Sequence, residues 1–138
     1  MTSLDLARSY LKKAAVRLDV LDLLHEKGAY SDVMREAQEL VELALKGMLR
    51  FVGIEPPKYH DVGPLLLEHD ERFPDIPRKD LEKAAEISKA LRKEREFSFY
   101  GDIDFIPTEE YTEGDAMEAM QGARFVVDMV KKFTAEKN

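Results

Sequence analysis

The chain has 138 residues, 44% apolar and 36% charged, with 28 acidic against 21 basic side chains and a net charge of −7. That length fits one domain, residues 1–138, able to bury roughly 70% of the surface its unfolded form exposes. The acidic balance excludes an overall basic nucleic-acid footprint. The lack of cysteine excludes disulfides, thiolate metal sites and a cysteine nucleophile.

The N-terminal residues from Thr2 to Tyr10 mix acidic and basic side chains without an apolar signal core. No apolar run approaches the ~18 residues of a membrane span, so a cytoplasmic, non-membrane location is expected. One Asn (Asn138) and two Gln (Gln38, Gln121) beside abundant Glu, Lys and Arg resemble the surface chemistry of thermophiles.

Leu4, Ala7, Tyr10, Leu11, Ala14, Ala15, Leu18, Leu21 and Leu24/His25 recur at three- and four-residue steps and predict a first helix from Thr2 or Ser3. Thr2 with Asp5 fits a capping box, and Gly28 is placed to end the helix. Ser31 is the expected N-cap of a second helix running to about Val52. Its stripe is Met34, Ala37, Leu40/Val41, Ala44/Leu45 and Met48/Leu49, with Glu42 and Lys46 paired at i, i+4. Gly53 ends it, and Pro56-Pro57 enforce extended backbone.

Asp61 is placed to cap a short apolar turn, Val62 to Leu67, in which Pro64 is tolerable only in the first turn. A fourth helix is predicted from Arg78 to Phe97 or Phe99, with Leu81, Ala84/Ala85, Ile87/Ser88, Leu91 and Phe97 inward. Gly101 ends it, and Asp102 to Tyr111 reads as a loop. Thr112 with Asp115 forms a second capping box before a last helix carrying Ala116, Met120, Ala123, Val126/Val127, Val130 and Phe133. No run alternates with period two. The expectation is an all-α, up-and-down antiparallel bundle of four long helices plus one short helix.

The ordinary enzyme motifs are missing. His25, His60 and His69 lie in different elements and never form a His-x-x-x-His pair, so no metal site is expected. His60 reads as a loop histidine capping the short helix or bonding backbone. Glu36, Glu39 and Glu42 step by three along the second helix without the Glu-x-x-His of a di-iron bundle, and read as a solvated face. There is no phosphate-binding glycine loop and no nucleophile elbow.

The exception is the stretch from Leu91 to Asp102, which holds Arg92, Arg95, Phe97, Phe99, Tyr100 and Gly101. Arginine offers a planar donor fork to phosphate, and an aromatic ring stacks on a base. Arg92, Arg95 and Tyr100 therefore form a candidate nucleotide-contacting corner. The competing reading makes both phenylalanines core, bonds Tyr100 to a neighbouring helix and pairs the arginines with Asp102, Asp104 or Glu109.

Taken in order, several pieces of the chain resemble the HEPN domain family (helical domains of higher eukaryotes and prokaryotes). They are Tyr30-Ser31-Asp32-Val33, the run Glu39 to Lys46, Pro56-Pro57-Lys58 with His60-Asp61, then Arg95, Phe99 to Asp102, Ile106-Pro107, Tyr111 and a final helix from Thr112. The resemblance implies a bundle that forms a homodimer. It also implies pairing with a small nucleotidyltransferase in a module of toxin–antitoxin type.

Ribonuclease members carry Arg-x4–6-His, where the histidine deprotonates the RNA 2′-hydroxyl and the arginine stabilises the phosphoryl transition state. Arg95 takes the arginine place, but Tyr100 stands at the histidine place. An ordinary tyrosine, of pKa about 10, is roughly one part in a thousand ionised at neutral pH, a handicap of about 4 kcal/mol for a base. The tyrosine that some relatives offer to the transferase falls at Asp102 here.

The resemblance thus implies a nucleotide-binding interaction partner without a cofactor, contacting nucleotide or RNA through Arg92, Arg95, Tyr100 and Asp102. The alternatives are a metal-independent ribonuclease with an Arg-x4-Tyr motif, catalysed by Arg95 and Tyr100, and a purely structural dimerisation module.

Overall fold

The computed structural model describes residues 3–58 and 61–136. The capping role expected of Thr2, both readings of His60 and the side chains of Phe97 and Phe99 lie outside the described residues. Six helices follow in chain order: α1 (Ser3–Glu26), α2 (Tyr30–Phe51), α3 (Gly63–Glu68), α4 (Arg78–Phe99), α5 (Pro107–Glu110) and α6 (Glu113–Glu136). A 3-10 turn, Asp70–Arg72, precedes α4. The four long helices match the expected bundle. The segment expected to be a loop from Asp102 to Tyr111 additionally winds the short α5, begun by Pro107 where its missing N–H costs nothing.

α2 is the central helix, packing against α1, α4 and α6. Its apolar stripe from Ala37 to Leu49 is buried, and Val33 joins it from the first turn. α6 meets it with Ala116, Ala123, Val126, Val130 and Phe133. α4 contributes Leu81, Ala84, Ser88 and Leu91. Among the described side chains of α1, only Ala7, Ala14 and Leu21 are buried, while Leu11, Leu18 and Leu24 pack partly against the same core. Leu4, expected inward, is 37% exposed, and the buried stripe of α1 starts one turn later at Ala7.

The join between α1 and α2 corrects one expectation. Ser31 is not the N-cap: Tyr30 is already helical and Ala29 stands at the cap without a side-chain bond. The reason is economy of chain. The Ala29 N–H donates to the Leu24 carbonyl at 2.9 Å, closing α1, and its carbonyl accepts the Val33 N–H at 3.0 Å, opening α2. One residue serves both ends, and Ser31 is pulled into the buried first turn.

The box at the start of α6 forms as read. The Asp115 N–H donates to Thr112 Oγ1 at 3.1 Å, and the Thr112 N–H donates to Asp115 Oδ2 at 2.9 Å. Asp61 does more than end a loop. It accepts the Gly63 N–H at 3.1 Å and the Ser88 hydroxyl at 2.7 Å, tying the start of α3 to α4.

Candidate functional site

Both α1 and α4 run antiparallel to α2, and side-chain pairs across these contacts fix their levels. Arg17 of α1 donates to Glu36 at 2.8 Å. Arg95 of α4 lies 3.5 Å from Glu39, and Arg92, one turn earlier, lies 3.5 Å from Glu42. The i, i+3 spacing of Glu36, Glu39 and Glu42 places all three on one side of α2. The ladder read as a solvated face is thus a partly buried set of anchors for arginines from two neighbouring helices.

This corrects the expected arginine partners too. Asp102, Asp104 and Glu109 lie past the end of α4, whereas Arg92 and Arg95 point sideways onto α2. An arginine on one helix face reaches carboxylates level with it on the neighbour, not those in its own following loop.

Glu42 is the most enclosed member of the ladder. It accepts from Gln38 at 2.6 Å and lies 2.9 Å from Lys46, at the i, i+4 spacing legible in the sequence. Burial acts to raise its pKa. The Lys46 hydrogen bond and charge, the Gln38 bond and the Arg92 charge outweigh that and hold it below the ordinary carboxylate value. Glu42 therefore stays ionised and keeps Lys46 and Arg92 beside each other.

Around this ladder opens a cleft of about 370 Å³, lined by Tyr10, Glu39, Glu42, Leu43, Lys46, Lys58 and Arg95. Three cations face two carboxylates there. Such a set holds an anionic group by charge-assisted hydrogen bonds. The Tyr10 ring offers an apolar face at the rim, with the Arg50 guanidinium 5.6 Å from its centroid. Sequence reading singled out Arg92 and Arg95 and missed Tyr10, Lys46 and Lys58 as site residues. The signal for Lys46 was its position on the same side of α2 as Glu39 and Glu42. Nothing in the spacing brings Tyr10 or Lys58 to the cleft.

Tyr100 and Asp102 lie elsewhere. Neither lines the cleft. They belong to a knuckle between α4 and α5, where Gly101 turns the chain at φ +71°. A Cβ on Gly101 would sit 2.4 Å from the Phe105 carbonyl oxygen, so only glycine fits. Asp102 and Phe105 exchange backbone hydrogen bonds at 2.9 and 3.0 Å, and the Asp102 carboxylate accepts the Ile103 N–H at 2.7 Å. Tyr100 is 72% exposed. Beside the knuckle, the Tyr111 hydroxyl donates to Glu94 of α4 at 2.7 Å while its ring meets Phe105 edge-on.

Burial, then the bond to Glu94 and its charge, then the charge of Asp115, push the Tyr111 hydroxyl well above the ordinary tyrosine value of 10.0. The folded chain therefore keeps a proton that the unfolded chain loses. The contribution is complete below the ordinary value and is lost as pH rises from there through the folded-state value. The melting temperature should fall above about pH 10 more steeply for the wild type than for Tyr111→Phe. Equal alkaline slopes in a melting series would remove Tyr111 as the cause.

The His25 and Tyr30 rings are tilted at 49° with centroids 5.8 Å apart, and His69 sits 3.9 Å from Glu71. Among the described residues no three metal-ligating side chains converge, and no helix is long and apolar enough to cross a membrane.

A central helix with a carboxylate ladder, clamped by arginines near the C-terminal end of an antiparallel neighbour, defines a helical-bundle class with a charged lateral cleft. The HEPN domain model matches residues 7–133, and the chain belongs to the HEPN domain family. It is 26% identical over 136 residues to a protein of Methanocaldococcus jannaschii described as "Putative toxin MJ1304", covering 95% of this chain and 90% of that one. Its fold is similar to the crystal structure of TT1696 from Thermus thermophilus, with TM-score 0.74 and 26% identity over 91% of this chain and 96% of that chain.

Proposed function

We propose that this HEPN protein binds the phosphate of a nucleotide in the α2–α4 cleft and acts as the partner of a small nucleotidyltransferase in a two-component, toxin–antitoxin-like module. The observation that carries the reading is the convergence of Arg95, Lys46 and Lys58 on one cleft, with Arg92 anchored on Glu42 beside it. The methanogen relative's description as a toxin supports the module. The placement of Tyr100 on the knuckle, apart from Arg95's cleft, favours binding over cleavage by an Arg-x4-Tyr pair.

The test has two arms. ATP and AMP should each raise the melting temperature of the purified protein while adenosine does not, because a ligand held by its phosphate stabilises the native state. The protein should also co-purify with the transferase encoded beside it. No phosphate-dependent shift together with no such partner would sink the reading. RNA cleavage in EDTA that is lost in both Arg95→Ala and Tyr100→Phe would replace it with the ribonuclease.

A further inference from the structure

Phosphate affinity alone leaves the rest of the ligand undefined, and the far end of the same cleft bears on it. The cleft runs along the outer side of α2. Arg95 stands at the level of Glu39, and Tyr10 of α1 stands at the level of Gly47. Those levels are about 12 Å apart at 1.5 Å per helical residue. Lys46 lies between them and reaches back to Glu42 at 2.9 Å. The span suits an extended nucleoside monophosphate, and a volume of about 370 Å³ is at the small end of the range for small-ligand sites.

Two features hold the Tyr10 ring at that end. The first is Gly47, which is buried inside α2, where glycine is destabilising relative to alanine. A Cβ there would lie 3.2 Å from Tyr10 Cβ, 3.3 Å from the Ala7 carbonyl oxygen and 3.0 Å from Leu11 Cδ2. The bare glycine lets α1 close onto α2 at Tyr10, one residue along from Lys46.

Arg50 is the second feature. Its guanidinium lies 5.6 Å from the Tyr10 ring centroid and is itself held by both carboxylate oxygens of Glu55, at 3.2 and 3.4 Å. Arg50 does not line the cleft, whereas Tyr10 does. The guanidinium therefore backs the ring from outside, and the cleft-facing side of the half-buried ring is left to a ligand.

A ring fixed in this way loses little freedom when a base stacks on it. Among the described residues Tyr10 is the one aromatic side chain lining the cleft. Stacking tolerates any base, because every base has a π-face.

We infer that Tyr10 is the base-stacking residue of the cleft, and that the ligand is a nucleoside phosphate taken up without selection among bases. The stacking role that sequence order suggested for Tyr100 passes to a tyrosine of α1. The inference rests on the phosphate reading of the cleft and adds the other half of the ligand.

Titration calorimetry of the full chain with AMP, UMP and ribose 5-phosphate tests it. AMP and UMP should each bind roughly 5- to 100-fold tighter than ribose 5-phosphate, the gain expected of one stacked base. Tyr10→Leu keeps apolar bulk against α2 but removes the ring. It should bring AMP and UMP down to the affinity of ribose 5-phosphate and leave ribose 5-phosphate itself unchanged. Tyr10→Phe, which restores the ring, should restore the gain. Arg95→Ala should weaken all three ligands together.

If ribose 5-phosphate binds the wild type as tightly as AMP, or Tyr10→Leu weakens both alike, the stacking role falls while the phosphate cleft stands. A loss of AMP affinity in Tyr100→Ala in place of Tyr10→Leu would return the stacking ring to the knuckle. UMP binding no tighter than ribose 5-phosphate would overturn the tolerance of any base. If none of the three ligands binds, the phosphate reading falls and takes the stacking role with it.

Discussion

Replacing Phe133 with alanine should lower the unfolding free energy by about 3–5 kcal/mol, a drop in melting temperature of roughly 10–20 °C. Phe133 is 1% exposed near the end of α6. Its ring meets Phe51 of α2 at 6.1 Å and 72°, and Phe73 of the segment before α4 at 5.4 Å and 69°. These edge-on contacts join three separate parts of the chain, and each adds about 0.5–1.5 kcal/mol beyond simple burial. Alanine would leave a hole that two helices and a proline-pinned connection cannot easily collapse to fill.

The exposed Gln121→Ala on the same helix should stay within about 0.5 kcal/mol of the wild type, which makes it the matching control. Urea unfolding of both variants measures the contrast. A loss below about 1 kcal/mol for Phe133→Ala would mean that this end of the core relaxes freely.

Phe133 was legible in the sequence because it extends a stripe. Periodicity marks a residue as inward whatever it packs against, and the inward sets of α2 and α6 were read from it nearly complete. The Thr112–Asp115 box was legible for a similar reason, since both partners lie within one turn. Where several neighbours compete, local reading failed. Ser31 has the right chemistry for an N-cap, but the closing bond of α1 needed Ala29 and set the start of α2. Val16 and Leu23 repeat at helical spacing on the side of α1 that faces away from the core, so the apolar pattern of α1 lacks one clear direction.

The site was legible only in part, and the reason is again range. Arg92 and Arg95 stand out by residue type and by the family motif. Their partners lie 50 and 56 positions earlier on another helix, and no local rule links Glu42 and Glu39 to them. Lys58 follows two prolines in a connection with no periodicity. Tyr100 and Asp102 were grouped with the arginines because they follow closely in sequence. The helix carries the arginines sideways onto α2, and Gly101 turns the next residues away into the knuckle. Adjacency along the chain and convergence in space are separate facts, and here they part at a single glycine.

If the cleft holds a nucleotide's phosphate as proposed, Arg95→Ala and Glu39→Gln should move nucleotide affinity in opposite directions. Arg95 reaches the cleft while paired with Glu39 at 3.5 Å, and both groups are partly exposed to solvent. A phosphate entering the cleft competes with that carboxylate for the guanidinium. Losing the arginine removes a charged hydrogen bond worth about 1.5–3 kcal/mol, so affinity for ATP should fall roughly 10- to 100-fold.

Losing the Glu39 charge releases Arg95 from an ion pair worth at most about 1 kcal/mol at such a site, so affinity should rise by up to about fivefold. Arg35, 3.3 Å from Glu39, keeps its bond to the amide oxygen in the variant and limits local rearrangement. Titration calorimetry at low and high salt separates the terms, because freeing a cation should steepen the salt dependence of the variant. If Glu39→Gln instead weakens binding as much as Arg95→Ala does, the carboxylate holds the arginine in its binding position rather than competing for it.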